Sequence, residues 1–206
     1  MMRTPKILLF LFISCLCFGC QSSLRRESRI EKQDDVYVLS FANLSFSVSA
    51  GKGGRIVSFK CEDRELLTSD SVHSKYYGAT FWLSPQSEYW PQYQCVDELP
   101  YQAEIDKQIL RLVSPPDSIS GVSVTKEFSI SERDSSILIH YSVRNVSRQL
   151  KRLAPWDVTR VYGGLSFFPV GETDRMNKSD VTGGYEDKGM VWVPCPDGTN
   201  AVSYTH

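Results

Sequence analysis

From Val36 onward, apolar residues recur at every second position between short turn-forming stretches. Val36, Val38 and Ser40 alternate with Tyr37, Leu39 and Phe41, and Leu44, Phe46 and Val48 alternate with serines. A period of two is the pattern of a strand, whose successive side chains point to opposite faces. Gly51 to Gly54 break the run and Arg55-Ile56-Val57-Ser58-Phe59 resumes it, which reads as strand, turn, strand. The same pattern returns at Gln108 to Val113, turned by Pro115-Pro116-Asp117, and at Val122 to Ile130, where Val122, Val124, Lys126 and Phe128 share one face. Ser131 to Ser135 turn the chain into Ile137 to Val143; Met190 to Val193 follows, and Pro196-Asp197-Gly198 leads into Ala201 to Tyr204. No long window keeps the spacing of three and four that an amphipathic helix needs. The expected fold is all-β: an antiparallel β-sandwich or barrel.

The N-terminus reads differently. Arg3 and Lys6 precede an apolar run of 12 residues from Ile7 to Phe18, and Gly19-Cys20 follows. The run is short of the roughly 20 residues a membrane-spanning helix needs, and the polar Gln21-Ser22-Ser23 comes directly after it. A charged start, a short apolar stretch and a small residue at the cut are the parts of a secretory signal. Leu16-Cys17-Phe18-Gly19-Cys20 resembles the lipobox of lipid-anchored bacterial proteins, in which the final cysteine is acylated and becomes the mature N-terminus. An ordinary secretory signal cut elsewhere is the alternative. The expected organisation is a signal peptide over residues 1–19, a flexible tether over 20–34 starting at lipidated Cys20, and one domain over 35–206. Acylation anchors a protein to a membrane without spanning it, so the expected location is the bacterial cell envelope, facing the periplasm or at the outer membrane. The chain stops at His206 within a strand-like run, so we expect it to be shorter than its domain.

Charge and cysteines narrow the function classes. Removing residues 1–19 takes two basic residues and no acid, which leaves 21 basic against 24 acidic residues, interspersed along the chain. Phosphate backbones require clustered Lys and Arg, so nucleic acid is not an expected partner. Of the six cysteines, Cys61, Cys95 and Cys195 remain in the domain. Three cysteines allow at most one disulfide, and the sequence does not choose the pair. No Cys-x-x-Cys or His-Glu-x-x-His spacing occurs, so no metal site and no cofactor are expected.

Two segments concentrate side chains suited to a ligand. Residues 76–93 hold Tyr76, Tyr77, Phe81, Trp82, Tyr89, Trp90 and Tyr93. Flat aromatic faces stack on the C–H faces of sugar rings, and their polar tips can hydrogen-bond hydroxyls; the plainer alternative is that these rings fill a sandwich core. The second segment is Ala154-Pro155-Trp156-Asp157-Val158-Thr159-Arg160. The planar fork of Arg160 can hold a sugar oxygen or a carboxylate, or it can form a surface pair with Asp157. Of the histidines, His140 falls in a strand and is expected to be half-buried there. His73, in the loop before the aromatic run, suits a wet site better. Nearby carboxylates are Glu88, Asp97, Glu98 and Asp157. Ligand-binding candidates are therefore Arg55, His73, Tyr77, Trp82, Glu88, Trp90, Trp156 and Arg160.

Gly53-Gly54-Arg55-Ile56-Val57-Ser58-Phe59 followed by Glu65-Leu66-Leu67 resembles the opening hairpins of galactose mutarotase-like domains. Tyr77-Gly78-Ala79-Thr80-Phe81-Trp82-Leu83-Ser84-Pro85 through Trp90-Pro91 sits where that superfamily has an aromatic segment lining a sugar cleft. Together with Ala154 to Thr159 and Gly163-Gly164, the set is most similar to the DUF4380 family. The resemblance spans about residues 36–195. It implies a supersandwich, two large antiparallel sheets face to face, and a carbohydrate partner in a cleft on one concave face. In aldose 1-epimerases a His acts as acid and a Glu as base. The stretch that matches the His motif, Ala154 to Arg160, holds Trp156 and no His, and the Glu falls beyond His206, so neither catalytic role has a matching position. Three functions remain open: a lipid-anchored carbohydrate-binding protein; a sugar epimerase-like enzyme, for which His73 with Glu88 is the pair to test; and an envelope structural or interaction lipoprotein without a sugar ligand.

Overall fold

A computed structural model describes residues 27–90, 94–171 and 183–195, with only the backbone of Gln94 and Cys195. Cys20 and its signal, the first part of the tether, Tyr93 and the strand expected from Ala201 to Tyr204 lie outside the described residues. The chain forms β1 (Arg29–Gln33), β2 (Val36–Phe41), β3 (Leu44–Ser49), a 3-10 turn (Ala50–Lys52), β4 (Arg55–Cys61), β5 (Arg64–Glu65) and β6 (Ala79–Ser84). One-turn helices α1 (Gln86–Tyr89) and α2 (Gln94–Asp97) follow. The rest is β7 (Gln102–Asp106), β8 (Ile109–Val113), β9 (Val122–Ser131), β10 (Ser136–Asn145), β11 (Ala154–Thr159), β12 (Gly164–Pro169), β13 (Tyr185–Asp187) and β14 (Met190–Cys195).

The strands pair antiparallel into a seven-stranded sheet, ordered β1-β2-β3-β4-β6-β11 with β5 on β4, a four-stranded sheet β10-β9-β8-β7, and a three-stranded sheet β12-β14-β13. The first two sheets bury a shared core. The larger contributes Leu39, Phe46, Val48, Ile56, Phe81 and Leu83, and the smaller Leu110, Leu112, Val122, Val124 and Phe128. Phe46 meets Phe128 at 5.8 Å and Phe81 meets Tyr141 at 4.7 Å between ring centroids, across the two sheets. Each fully buried Leu, Val or Phe contributes roughly 1.5–3 kcal/mol. The fold is thus an antiparallel β-sandwich, as the period-two pattern implies. The register follows that pattern: Tyr37 opposes Val48 and Leu39 opposes Phe46, all four buried.

Two expectations are corrected. Arg29–Gln33, assigned above to the tether, is an edge strand paired with β2 from Gln33↔Val36 to Arg29↔Ser40. Its one apolar residue, Ile30, packs on the core, and its charges suit an edge open to water. Asp34, at φ 56°, makes the turn. His140 is exposed rather than half-buried, because β10 is an edge strand whose core-packed residues are Ile137, Tyr141 and Val143, and His140 lies on the opposite face.

Candidate functional site

Strand β6 divides its aromatic residues between two faces. Ala79, Phe81 and Leu83 point into the sandwich, whereas Thr80 and Trp82 point to the opposite face of the large sheet. Strand β11 supplies the neighbours there, since Trp156 opposes Trp82 and Val158 opposes Thr80. Trp82 is only 6 % exposed because rings enclose it edge-on. Trp90 and Trp156 each lie 5.3 Å from it and Tyr76 lies 6.1 Å away. Trp90 itself is 44 % exposed, and Tyr76 and Trp156 are half-buried. The aromatic run is therefore neither all core nor all cleft.

Arg160 is buried in this cluster. Its guanidinium sits 5.3 Å from the Trp82 ring and 5.6 Å from Tyr76, and it donates to Thr80 Oγ1 at 3.1 Å and the Val158 carbonyl at 3.3 Å. This corrects the expectation of a surface pair with Asp157. A guanidinium is weakly hydrated and stacks well, so it tolerates such a site. Burial lowers the Arg160 pKa, partly opposed by Asp97.

The anionic centre is Asp97 in α2. Its Oδ2 accepts from Arg55 Nη2 at 3.0 Å and from Trp82 Nε1 at 3.2 Å. Arg55 and Asp97 form a buried ion pair, each side chain 5 % exposed. Arg55 Nη1 also donates to the Lys75 carbonyl at 2.7 Å. Arg55 Nε and Asp97 Oδ1 are buried with no hydrogen-bond partner among the described residues. Burial raises the Asp97 pKa, outweighing the opposite pull of Arg55, Lys126 and the Trp82 hydrogen bond.

Backbone geometry sets this pair in place. Gly53 and Gly54 adopt φ of 64° and 62°, a region side chains disfavour. A Cβ on Gly53 would come within 2.3 Å of the Asp97 backbone, so the turn ahead of Arg55 lies directly on α2. Beneath it, the wholly buried Lys126 reaches up from β9 and donates to the Gly53 carbonyl at 2.6 Å and to that of Gly54 at 3.4 Å. Phe81, Tyr101 and Tyr141 surround its ammonium at 5.1–6.0 Å. Burial is the dominant influence on Lys126 and pulls its pKa down to about 8, against the attraction of Asp97 and Asp157. The Glu65 of the second motif is structural: Ser58 Oγ and the amides of Phe59, Leu66 and Leu67 all donate to its carboxylate. Burial raises its pKa, but these bonds prevail and hold it below the ordinary value.

Tyr77 is buried beside Arg55, whose guanidinium lies 4.8 Å from its ring, and its hydroxyl accepts from Lys52 Nζ at 2.9 Å. A cleft of about 210 Å³ opens here, lined by Lys52, Arg55, Ser74, Lys75, Tyr77, Asp97 and Glu98. Another, of about 240 Å³, shares Lys52 and Tyr77 and is lined also by Asp35, Ser49, Ser69 and Asp70. His73 is exposed; its Nδ1 accepts from the amides of Lys75 and Tyr76, and its ring lies 4.9 Å from Tyr76. Glu88 is exposed on α1, and no hydrogen bond or ion pair joins it to His73 among the described residues.

Of the eight candidates, Arg55, Tyr77, Trp82, Trp90, Trp156 and Arg160 thus lie on one face, His73 flanks it through Tyr76, and Glu88 is not drawn in. Asp97 and Lys126 are the residues sequence reasoning undervalued. Lys126 in phase with Val122, Val124 and Phe128 was the available signal of a buried cation. Cys61 and Cys95 are free thiols, and burial beside Asp117 raises the Cys95 pKa to about 12. Among the described residues no group of His, Cys, Asp and Glu comes together that could hold a metal ion, and no helix is long and apolar enough to cross a membrane. Comparison with family models and with curated proteins finds no match for this sequence.

Proposed function

We propose that this chain is a lipid-anchored carbohydrate-binding protein of the bacterial cell envelope, related to the galactose mutarotase-like superfamily through its DUF4380 branch. The observation that carries this reading is the aromatic and cationic face built around Trp82. Trp90 is 44 % exposed next to a nearly buried Trp82, with Trp156 and Tyr76 at its sides. A sugar ring can lie against such a surface, since stacking needs an open aromatic face held rigid from behind. Clefts lined by Tyr77, Lys52, Ser74 and Ser69 beside it offer donors and acceptors for hydroxyls. Cys20, acylated, would tie the domain to the membrane with a short linker ahead of Arg29.

Tryptophan fluorescence of the full-length protein, titrated with mono- and oligosaccharides, tests this. A saturable shift for at least one sugar class is the expected result. No shift from a cooperatively folded protein would remove the carbohydrate reading and leave a structural lipoprotein.

A further inference from the structure

The cleft beside Tyr77 carries an unequal balance of charge. Its lining holds three cations, Lys52, Arg55 and Lys75, and two carboxylates, Asp97 and Glu98. Both carboxylates are already engaged, Asp97 by Arg55 at 3.0 Å and Glu98 by Lys75 at 3.2 Å. Lys52 has no ion-pair partner among the described residues; its ammonium is held by the Tyr77 hydroxyl at 2.9 Å. Arg55 is 4 % exposed and its Nε finds no acceptor, while Asp97 is 3 % exposed and its Oδ1 finds no donor. Buried polar atoms of this kind are rare and call for a partner. The neighbouring cleft has the opposite balance, with Asp35 and Asp70 against the shared Lys52. This arrangement is polarised: a region that favours an anion lies next to one that favours hydroxyl donors.

We infer that the ligand of this face is an acidic sugar, whose ring carboxylate lies in the Lys52–Arg55–Lys75 cleft while its hydroxyls reach the carboxylates around it. This rests on the carbohydrate reading above and narrows it to uronates. A carboxylate can accept from Lys52 and Lys75 in charge-assisted bonds, which are stronger than bonds between neutral groups. A neutral sugar would bring Lys52 no counter-charge beyond its bond to the Tyr77 hydroxyl. The cleft, at about 210 Å³, is smaller than the roughly 300–1,000 Å³ of sites for drug-sized ligands, so it suits one sugar unit rather than a long segment.

The test is calorimetric titration of the full-length protein with galacturonate and glucuronate oligomers and with neutral oligomers of galactose and glucose of equal length. The uronates are expected to bind about tenfold tighter or more, the factor one charge-assisted bond contributes. The preference should shrink as salt rises from roughly 0.05 to 0.5 M, since Lys52 and Lys75 are open to water. Lys52→Gln and Lys75→Gln alter exposed side chains and leave the sandwich intact; together they should reduce the preference for uronates over neutral sugars to within about twofold. Equal binding of uronates and neutral sugars, or tighter binding of hexose phosphates than of uronates, would overturn this inference and leave the carbohydrate reading standing. No binding of any sugar would overturn both.

Discussion

Replacing Lys126 by Met tests whether a cation really is shut inside the sandwich. Met keeps the length and flexibility of the side chain and removes the charge. In the folded protein the Lys126 pKa lies at about 8, against about 10.4 for a lysine in the unfolded chain. A folded-state value below the unfolded one means that the charged form is penalised by folding. Below pH 8 both states carry the proton and the full penalty is present. Between pH 8 and 10.4 the folded state has released the proton while the unfolded state keeps it, so stability rises with pH through this window. Integrating the difference from pH 7 to pH 10 gives a gain of about 2.5 kcal/mol. Urea unfolding of wild type and Lys126→Met, followed by tryptophan fluorescence at each pH, isolates this effect, because the remaining lysines and the tyrosines titrate in both proteins. The stability of wild type relative to the variant should rise by about 2–3 kcal/mol between pH 7 and pH 10. Parallel curves for the two proteins would refute the buried cation and with it the anchoring of the Gly53-Gly54 turn.

Asp97→Ala leaves Arg55 as a buried charge without its counter-ion, which typically costs about 3–5 kcal/mol; a loss below about 1 kcal/mol in the urea midpoint analysis would contradict the pairing. Cys95, buried and with a thiol pKa of about 12, should resist iodoacetamide in the native protein at pH 8 while the half-buried Cys61 is modified, as the thiolate is the reactive form. Peptide mass spectrometry that finds Cys95 alkylated as fast as Cys61 would show that the pocket formed with Asp117 and Ser120 opens readily. Gly53→Ala should destabilise by more than about 1 kcal/mol, the centre of the distribution for point substitutions, through its positive φ and its contact with the Asp97 backbone; an unchanged melting temperature would show that the turn does not rest on α2.

Most strands were legible from alternation, and β9 shows it most clearly. In β9 the buried positions are Val122, Val124, Lys126 and Phe128, in the phase the sequence gives them. Arg29–Gln33 was not legible, since one isoleucine among charged residues has no period, and only pairing with β2 makes it a strand. At the site, the aromatic residues were visible but their division was not. Which of Phe81 and Trp82 faces the core depends on how β6 sits between β4 and β11, a tertiary choice. Arg160 reads as a surface residue from its charge, yet Tyr76, Trp82 and Thr80 converge on it from 80 or so residues away. Asp97 stood only among nearby carboxylates, because its partners Arg55 and Trp82 meet it through the turn at Gly53 and not through spacing.

A carbohydrate-binding face requires Trp90 to be a contact surface rather than packing. Trp90→Ala, measured by calorimetric sugar titration and by thermal unfolding, separates the two. With 44 % of its surface open, Trp90 should lose most of the sugar affinity at little cost in melting temperature. A variant that binds sugar as wild type does, or that unfolds as a large core truncation would, at about 3–5 kcal/mol, would contradict the binding face.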